Sequence, residues 1–386
     1  LPFVTLPYIL KTIGTENYGA YSYIYAIAQY VIMFSTYGFN FSATKQISQS
    51  RTDSKAVSNI FNSVIAGKSL IATVITVLLF LFNRWIFKDQ IGTLMFVFSL
   101  GMVLGDIFTP VWLFQGLERM KYMTIVNASS KILFTILIFV FIHETNDYYL
   151  LILLNSCGYL LSGILSIILV YKQFNIRLHR VKWVDVKQQL KEGKEVFGST
   201  FGMNLYRNAN VIILKQFVSD EVVGIYSAAE KVVKGFQSII SPAAQALFPH
   251  LSLRFKNKSL HENVALLKKI ALPFSVVVTI ITAFVYIFAP QITDILCGEG
   301  YTDSIPLVRI MTLVILFGEI NYLVGIVGLI NMNGQRYFFR SVMIVGVFSV
   351  LFMLSLLPHY GVNIAAWAMS LAEILLFLLC ILSLYR

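Results

Sequence analysis

FGSTFGMNLYRNANVIILKQFVSDEVVGIYSAAEKVVKGFQSIISPAAQALFP, residues 197–249, reads as two apolar helices joined by an acidic turn at Ser219, Asp220 and Glu221. The helices cover about residues 196–216 and 221–247, each long enough to cross a bilayer. Both carry charge where lipid opposes it. On the first, Asn204, Arg207, Asn208, Val211 and Lys215 recur at helical spacing and share one face. On the second, Ser227, Glu230, Lys231, Lys234, Ser238 and Ser241 do the same. A cation at the bilayer centre costs about 2.5 to 3.5 kcal/mol on insertion scales, so such groups face a bundle interior or a watery cavity. Two basic stripes on consecutive helices therefore predict a polar, cationic cavity that receives an anion.

The rest of the chain has the composition such a cavity needs around it. Of 386 residues, 57% are hydrophobic and 13% charged, whereas a soluble domain carries about 25% charged residues. This predicts an all-α integral membrane protein. At about 20 apolar residues per crossing, the length holds about a dozen helices and leaves no soluble domain. The apolar runs are continuous rather than alternating, which excludes a barrel.

Spans are expected over a partial helix ending near 10, then 18–37, 61–82, 91–114, 123–142 and 148–171. A basic linker follows over 172–195, and the remaining spans fall at 196–216, 221–247, 269–289, 304–330, 339–357 and 361–385. The chain opens Leu1-Pro2-Phe3 without Met, and its first residues read as the second half of a helix that begins earlier. Three domains follow: an N-terminal bundle over 1–171, the linker, and a C-terminal bundle over 196–386.

Assigning the loops alternately to two sides separates the charge. One side collects most of the 30 Lys and Arg, among them Arg51, Arg119, Lys172, Arg180, Lys187, Lys256, Lys258, Lys268, Arg336 and Arg386. The other holds Lys11, Arg84 and Lys88 against acids that include Glu144, Asp147, Asp220, Glu299 and Asp303. The positive-inside rule then places the linker and the C-terminus in the cytoplasm. The net charge of +11 follows from those loops, which also favour anionic lipid headgroups. No nucleic-acid partner is needed to explain it.

An internal repeat supports two halves. Tyr18-Gly19-Ala20-Tyr21-Ser22 matches Val223-Gly224-Ile225-Tyr226-Ser227, and each leads into an apolar helix and a basic loop. Two six-helix bundles in parallel orientation are expected. Gly101 and Gly105 form a G-x-x-x-G pair that lets helices approach closely.

Intramembrane charge is the main functional signal. Besides Arg207, Lys215, Lys231 and Lys234 there are Lys68, Asp106, Lys131, Arg309, Glu319 and Glu373. Cations outnumber acids in the spans, so complete pairing calls for an outside anion. Lys131 shares a face with Asn127, Thr124 and Thr135, a polar lining. The candidate substrate-binding set is Arg207, Lys231, Lys131, Lys68, Lys215, Asn204, Asn208 and Asn127. Asp106, Glu230, Glu319 and Glu373 are read either as ion-coupling groups or as partners for the cations, and Glu230 with Lys234 forms an i, i+4 pair. A run of tyrosines, Tyr18, Tyr21, Tyr23, Tyr25 and Tyr30, is read as an interfacial anchor, with sugar stacking as the other reading.

Chemistry of other kinds has no foothold. The three cysteines, Cys157, Cys297 and Cys380, are too far apart and odd in number for a closed framework, and the five histidines lack metal spacing. No P-loop, G-x-S-x-G or H-E-x-x-H occurs. The expectation is a secondary transporter, not an enzyme, with no cofactor and no metal.

Several motifs carry a resemblance: Leu6-Pro7-Tyr8-Ile9-Leu10 with Ile13-Gly14-Thr15-Glu16-Asn17-Tyr18-Gly19, Tyr37-Gly38-Phe39-Asn40, Val223 to Lys231, and Gln245-Ala246-Leu247-Phe248-Pro249. The chain resembles the polysaccharide flippases, the O-antigen or Wzx-type branch of the multidrug/oligosaccharidyl-lipid/polysaccharide exporter superfamily. The resemblance implies two six-helix bundles arranged as a V in the bacterial inner membrane. It also implies an undecaprenyl-diphosphate-linked glycan as substrate, moved from the cytoplasmic to the periplasmic leaflet by alternating access. Membrane lipids and other polysaccharide-assembly proteins are the further partners it suggests. A multidrug or cation antiporter of the same superfamily is the alternative, and a membrane glycan polymerase or ligase is the third.

Overall fold

The computed structural model describes residues 2–384 except 88, 256–258 and 333, and among these it is helical with no strand. Lys88, Lys256, Lys258 and Arg386, used in the charge topology above, lie outside the described residues. In chain order the helices are α1 (Pro2–Thr36), α2 (Phe39–Gln49), α3 (Ser54–Leu81), α4 (Asn83–Ile86), α5 (Gln90–Ile107), α6 (Val111–Gly116), α7 (Met120–Phe141) and α8 (Tyr148–Phe174). They continue as α9 (Trp183–Arg207), α10 (Ala209–Leu214), α11 (Asp220–Phe255), α12 (Leu260–Ile287), α13 (Ala289–Cys297), α14 (Ser304–Asn321), α15 (Gln335–Tyr360) and α16 (Asn363–Leu384). A π-helical segment, Tyr322–Ile330, extends α14.

Among the described residues, eight stretches are long and apolar enough to cross a membrane: Ser54–Leu81, Gln90–Gly116, Met120–Phe141, Thr145–Phe174, Leu260–Ile287, Ser304–Ile330, Gln335–Tyr360 and Asn363–Leu384. Each coincides with one expected span, and the chain is a multi-pass membrane protein. The other expected spans fall on α1, α9 with α10, and α11, which are long but more polar. They carry the tyrosine run and the two charged stripes. α1 is two helical segments, 2–13 and 15–36, that meet at Gly14 with φ 77° and ψ 176°. Glycine alone adopts that backbone without strain, so the partial helix and the next span are separate segments joined by one residue.

The linker differs from expectation. α8 runs on to Phe174 and α9 begins at Trp183, so only 175–182 lacks helix. The cause is packing. Val186 and Gln189 are buried, the Gln46 and Gln189 side chains exchange hydrogen bonds of 3.1 and 2.8 Å, and a Cβ on Gly38 would lie 2.1 Å from the Gly193 carbonyl oxygen. A basic sequence that looks like a tether is thus an amphipathic helix seated on α2.

Contacts divide the chain into two compact units: Ala20–Phe201, and Pro2–Gly19 with Gly202 onward. The expected boundaries at 171 and 195 differ on both counts. The linker and most of α9 stay with the first unit through the α2 contacts above, and residues 2–19 join the second. In the first unit, α5 and α8 pack closely because of the G-x-x-x-G pair. A Cβ on Gly101 would stand 2.8 Å from Ser156 Cβ, and one on Gly105 would stand 2.3 Å from the Tyr159 carbonyl. In the second unit, Ser304–Ile330 and Asn363–Leu384 are the most enclosed of the apolar spans, and apolar residues of the π segment, among them Leu323, Val324 and Val327, share a core with Leu376 and Cys380 of α16.

The starts of the two repeat motifs meet within the second unit. A Cβ on Gly19 would lie 1.8 Å from the Asp220 carbonyl oxygen, and one on Gly224 would lie 1.9 Å from that of Thr15. Gly19 corresponds to Gly224 in the repeat, and Thr15 to Asp220. The contact is therefore reciprocal, the signature of a local two-fold relation, and it gives the short sequence match a structural counterpart.

Candidate functional site

The charged stripe of the first quoted helix is cut at its centre. α9 ends at Arg207, Asn208 leaves the helical conformation with φ −131°, and α10 starts at Ala209. Asn204, Asn208 and Asn210 around the break have side chains that compete with the backbone for hydrogen bonds, which weakens helix interiors. The consequence is electrostatic as well. Arg207 occupies the last turn of α9, where the unpaired carbonyls at a helix C-terminus favour a cation.

Arg207 reaches α16. Its Nε and one terminal nitrogen donate to Glu373 Oε1 at 3.2 and 3.0 Å. The other carboxylate oxygen, Oε2, accepts from Asn321 Nδ2 at 2.7 Å, and the same amide reaches the Glu373 carbonyl at 2.8 Å. Asn321 is the last α-helical residue before the π segment, and π-helical segments recur at functional sites. The two partners differ sharply in access: the Glu373 side chain is 1% exposed and that of Arg207 is 42% exposed. The acid is enclosed, while the Arg207 side chain is partly open and its guanidinium lies over the Tyr206 ring at 5.4 Å.

A second chain of contacts runs beside it. Lys234 bonds Glu230 at 3.1 Å and donates to Asn208 Oδ1 at 3.3 Å. Asn208 Nδ2 donates in turn to Asn204 Oδ1 at 2.6 Å. Lys231 is half-buried next to Glu230, and Glu319, 4% exposed, lies 2.7 Å from Ser241 Oγ. The two stripes and the acids of α14 and α16 thus form one polar district inside the second unit.

Other predicted residues sit elsewhere. Lys68 is buried, and its ammonium donates to the Asp106 carboxylate at 2.7 Å and to the Asp106 carbonyl at 2.9 Å. Thr36 adds a 3.4 Å bond to the same carboxylate oxygen. Lys215 pairs with Asp220 at the start of α11. Both lysines were expected to line a cavity, and both instead have their charge matched within their own unit. The excess of cations in the spans also shrinks, because Asp220 reads as a loop acid in the sequence and closes back on Lys215. Lys131 and Asn127 are exposed one turn apart on α7 of the first unit, and Arg309 lies over the Tyr286 ring at 5.6 Å. Of the acids, Asp106, Glu230 and Glu373 act as partners for cations in this structure.

Sequence reasoning passed over Asn321. Its signal was there: an amide inside the apolar run Leu313–Ile330 at a level where an unsatisfied polar group is costly.

A family model described as polysaccharide biosynthesis protein matches residues 1–255. A protein of Escherichia coli (strain K12) described as a candidate O-antigen transporter is 27% identical over 359 residues, covering 92% of this chain and 86% of the relative. A Shigella dysenteriae protein of the same description is 26% identical over 371 residues, covering 96% and 91%. Among solved structures, the lipid II flippase MurJ in an inward closed conformation is similar with a TM-score of 0.82 at 13% identity, over 100% of this chain and 85% of that one. An inward-facing multidrug resistance MATE family transporter of the MOP superfamily is similar with a TM-score of 0.72 at 14% identity, over 100% and 98%. With the family model matching well over half of its length, the chain belongs to the polysaccharide biosynthesis protein family.

Proposed function

We propose that the protein is a flippase. It moves an undecaprenyl-diphosphate-linked oligosaccharide, an O-antigen or capsule repeat unit, from the cytoplasmic to the periplasmic leaflet of the bacterial inner membrane by alternating access. The observation that carries this reading is Arg207, a partly exposed arginine at a helix end inside a membrane protein, whose carboxylate partner Glu373 is enclosed. A diphosphate brings about two negative charges and several acceptor oxygens, and a guanidinium meets such groups through paired N–H bonds. The open side of Arg207 suits that geometry, with Lys231 and Lys234 on α11 supplying further positive charge. The glycan cannot cross hydrocarbon unaided, whereas the polyprenyl tail stays in lipid. The candidate O-antigen transporters named above lend support by family. Glu319 and Glu373 are the acids best placed to couple transport to a cation, through their contact with Ser241 and Arg207 respectively.

The test is a proteoliposome in which a lipid-linked oligosaccharide, loaded on one leaflet, becomes accessible to a lectin on the other side without chemical change. The intact protein is expected to expose it. Arg207→Ala loses the activity by at least about tenfold, since a charge-assisted hydrogen bond is worth about 1.5 to 3 kcal/mol. Arg207→Lys, which keeps charge but not the planar fork, recovers it only in part. Full activity in both variants would sink the reading, and so would export of drug cations in the same vesicles with no movement of the glycan lipid.

A further inference from the structure

The first unit carries a strip of hydroxyls and amides that the cation argument does not use. On α1, Tyr21, Tyr25 and Gln29 follow one another at i, i+4 and i+8 and so share a face. On α8, Asn155 and Tyr159 are one turn apart. Asn155 Nδ2 donates to the Tyr21 hydroxyl at 3.1 Å, Gln29 Nε2 donates to the Tyr159 hydroxyl at 3.2 Å, and Tyr25 shares a hydrogen bond with Tyr159. The Tyr21 and Tyr25 rings lie 5.8 Å apart and are tilted by 30°. Tyr21 is buried and the other four are half-buried.

This strip is rigidly held. Gly105 presses α5 against the backbone at Tyr159 and Gly101 presses it against Ser156, while Ser156 Oγ bonds the Phe98 carbonyl at 2.6 Å. Its depth is also informative. Tyr159 falls near the middle of α8, one of the apolar spans, and Tyr25 near the middle of the segment 15–36. Interfacial tyrosines belong at helix ends, so the anchor reading does not suit these two. Hydroxyls and amides half open at that depth would be stranded against acyl chains. Such groups call for a polar surrounding.

Charge narrows the choice. None of the five residues is ionisable near neutral pH, and the Lys68–Asp106 pair of the same unit is matched within itself. A face of phenol rings flanked by amides, without net charge, matches the chemistry of a pyranose: the rings cover its C–H faces, and the amides supply donors and acceptors for its hydroxyls. We propose that Tyr25, Gln29, Asn155 and Tyr159 form a sugar-binding subsite for the uncharged glycan portion of the substrate, distinct from the cationic district that takes the diphosphate. The proposal rests on the flippase reading and adds to it the part of the molecule that discriminates glycans.

Binding titrations on the purified full chain separate the two subsites with three probes: undecaprenyl diphosphate, the same lipid bearing a tetrasaccharide, and the free tetrasaccharide. The glycan-bearing lipid is expected to bind more tightly than the bare diphosphate. Tyr25→Ala and Gln29→Ala each weaken the glycan-bearing lipid by about three- to tenfold, the loss of one hydrogen bond or stack, and leave the bare diphosphate unchanged. Tyr25→Phe keeps the ring and its packing and serves if Tyr25→Ala does not fold; it is expected to retain most of the stacking and lose the hydroxyl's share. Arg207→Ala weakens both lipids alike. Equal affinity of the wild type for the two lipids would overturn the inference, as would strip variants that weaken both probes equally or neither. Displacement of the tetrasaccharide-bearing lipid by tetraphenylphosphonium, lost in Tyr25→Ala, would overturn it in favour of a drug-cation surface. If undecaprenyl diphosphate fails to bind but the free tetrasaccharide binds and loses affinity in Tyr25→Ala, the subsite stands and the diphosphate reading of Arg207 falls alone.

Discussion

A positive side chain inside a membrane bundle needs company, and Arg207 and Lys68 find it in different ways. Lys68 is sealed: its ammonium is spent on Asp106 from two directions, and its side chain is 3% exposed. Arg207 bonds Glu373 and lies over the Tyr206 ring at 5.4 Å, yet its side chain stays 42% exposed. This difference in access, not the presence of charge, separates a structural pair from a candidate binding group, and sequence spacing cannot express it. Breaking a buried pair by removing one partner costs about 3 to 5 kcal/mol, whereas replacing both partners by apolar groups is often neutral. Lys68→Met alone is therefore expected to lower the thermal midpoint of the detergent-solubilised protein markedly, because Asp106 is left uncompensated. The double variant Lys68→Met with Asp106→Leu recovers most of the loss. A double variant no more stable than the single one would refute the assignment of this pair as self-contained.

At the scale of helices, the glycines decide which backbones touch. The repeat motifs bring Gly19 and Gly224 together so closely that a methyl group at either would overlap a main-chain carbonyl, and no side chain can move aside to relieve it. Gly19→Ala and Gly224→Ala should each separate the segments, at about 1 to 3 kcal/mol as for other overpacked contacts. Because both relieve the same crossing, their effects combine to less than their sum. Unfolding of the two single variants and the double measures this, and full additivity would mean the glycines act independently. The apolar spans were legible in the sequence because burial in lipid imposes one continuous pattern on each. The helical linker was not, because Val186 and Gln189 become a packed face only when α2 supplies the other half. The break after Arg207 was also hidden, since the asparagines around it read equally well as one stripe of a straight helix.

For the molecule as a whole, the distribution of charge makes a claim about orientation. The eight apolar spans fall where continuous hydrophobic runs place them, so the loops between them sort to alternate sides. The acidic turn Thr145–Asp147, closed by a capping box between Glu144 and Asp147, lies between α7 and α8. The basic segment 175–182 follows α8 at its other end, so one full crossing separates the two. If the positive-inside rule governs this chain, the turn faces the periplasm and the segment faces the cytoplasm. Single cysteines at Asn146 and Lys182, placed in a chain whose Cys157, Cys297 and Cys380 have been replaced by Ser or Ala, provide the measurement. A membrane-impermeant maleimide applied to intact spheroplasts is expected to label the cysteine at 146 and to reach the one at 182 only after the membrane is opened. The reverse pattern would invert the topology, and with it the direction in which a glycan lipid travels. Labelling of both without opening the membrane would mean that α8 does not cross the bilayer, which its length and its apolar sequence both oppose.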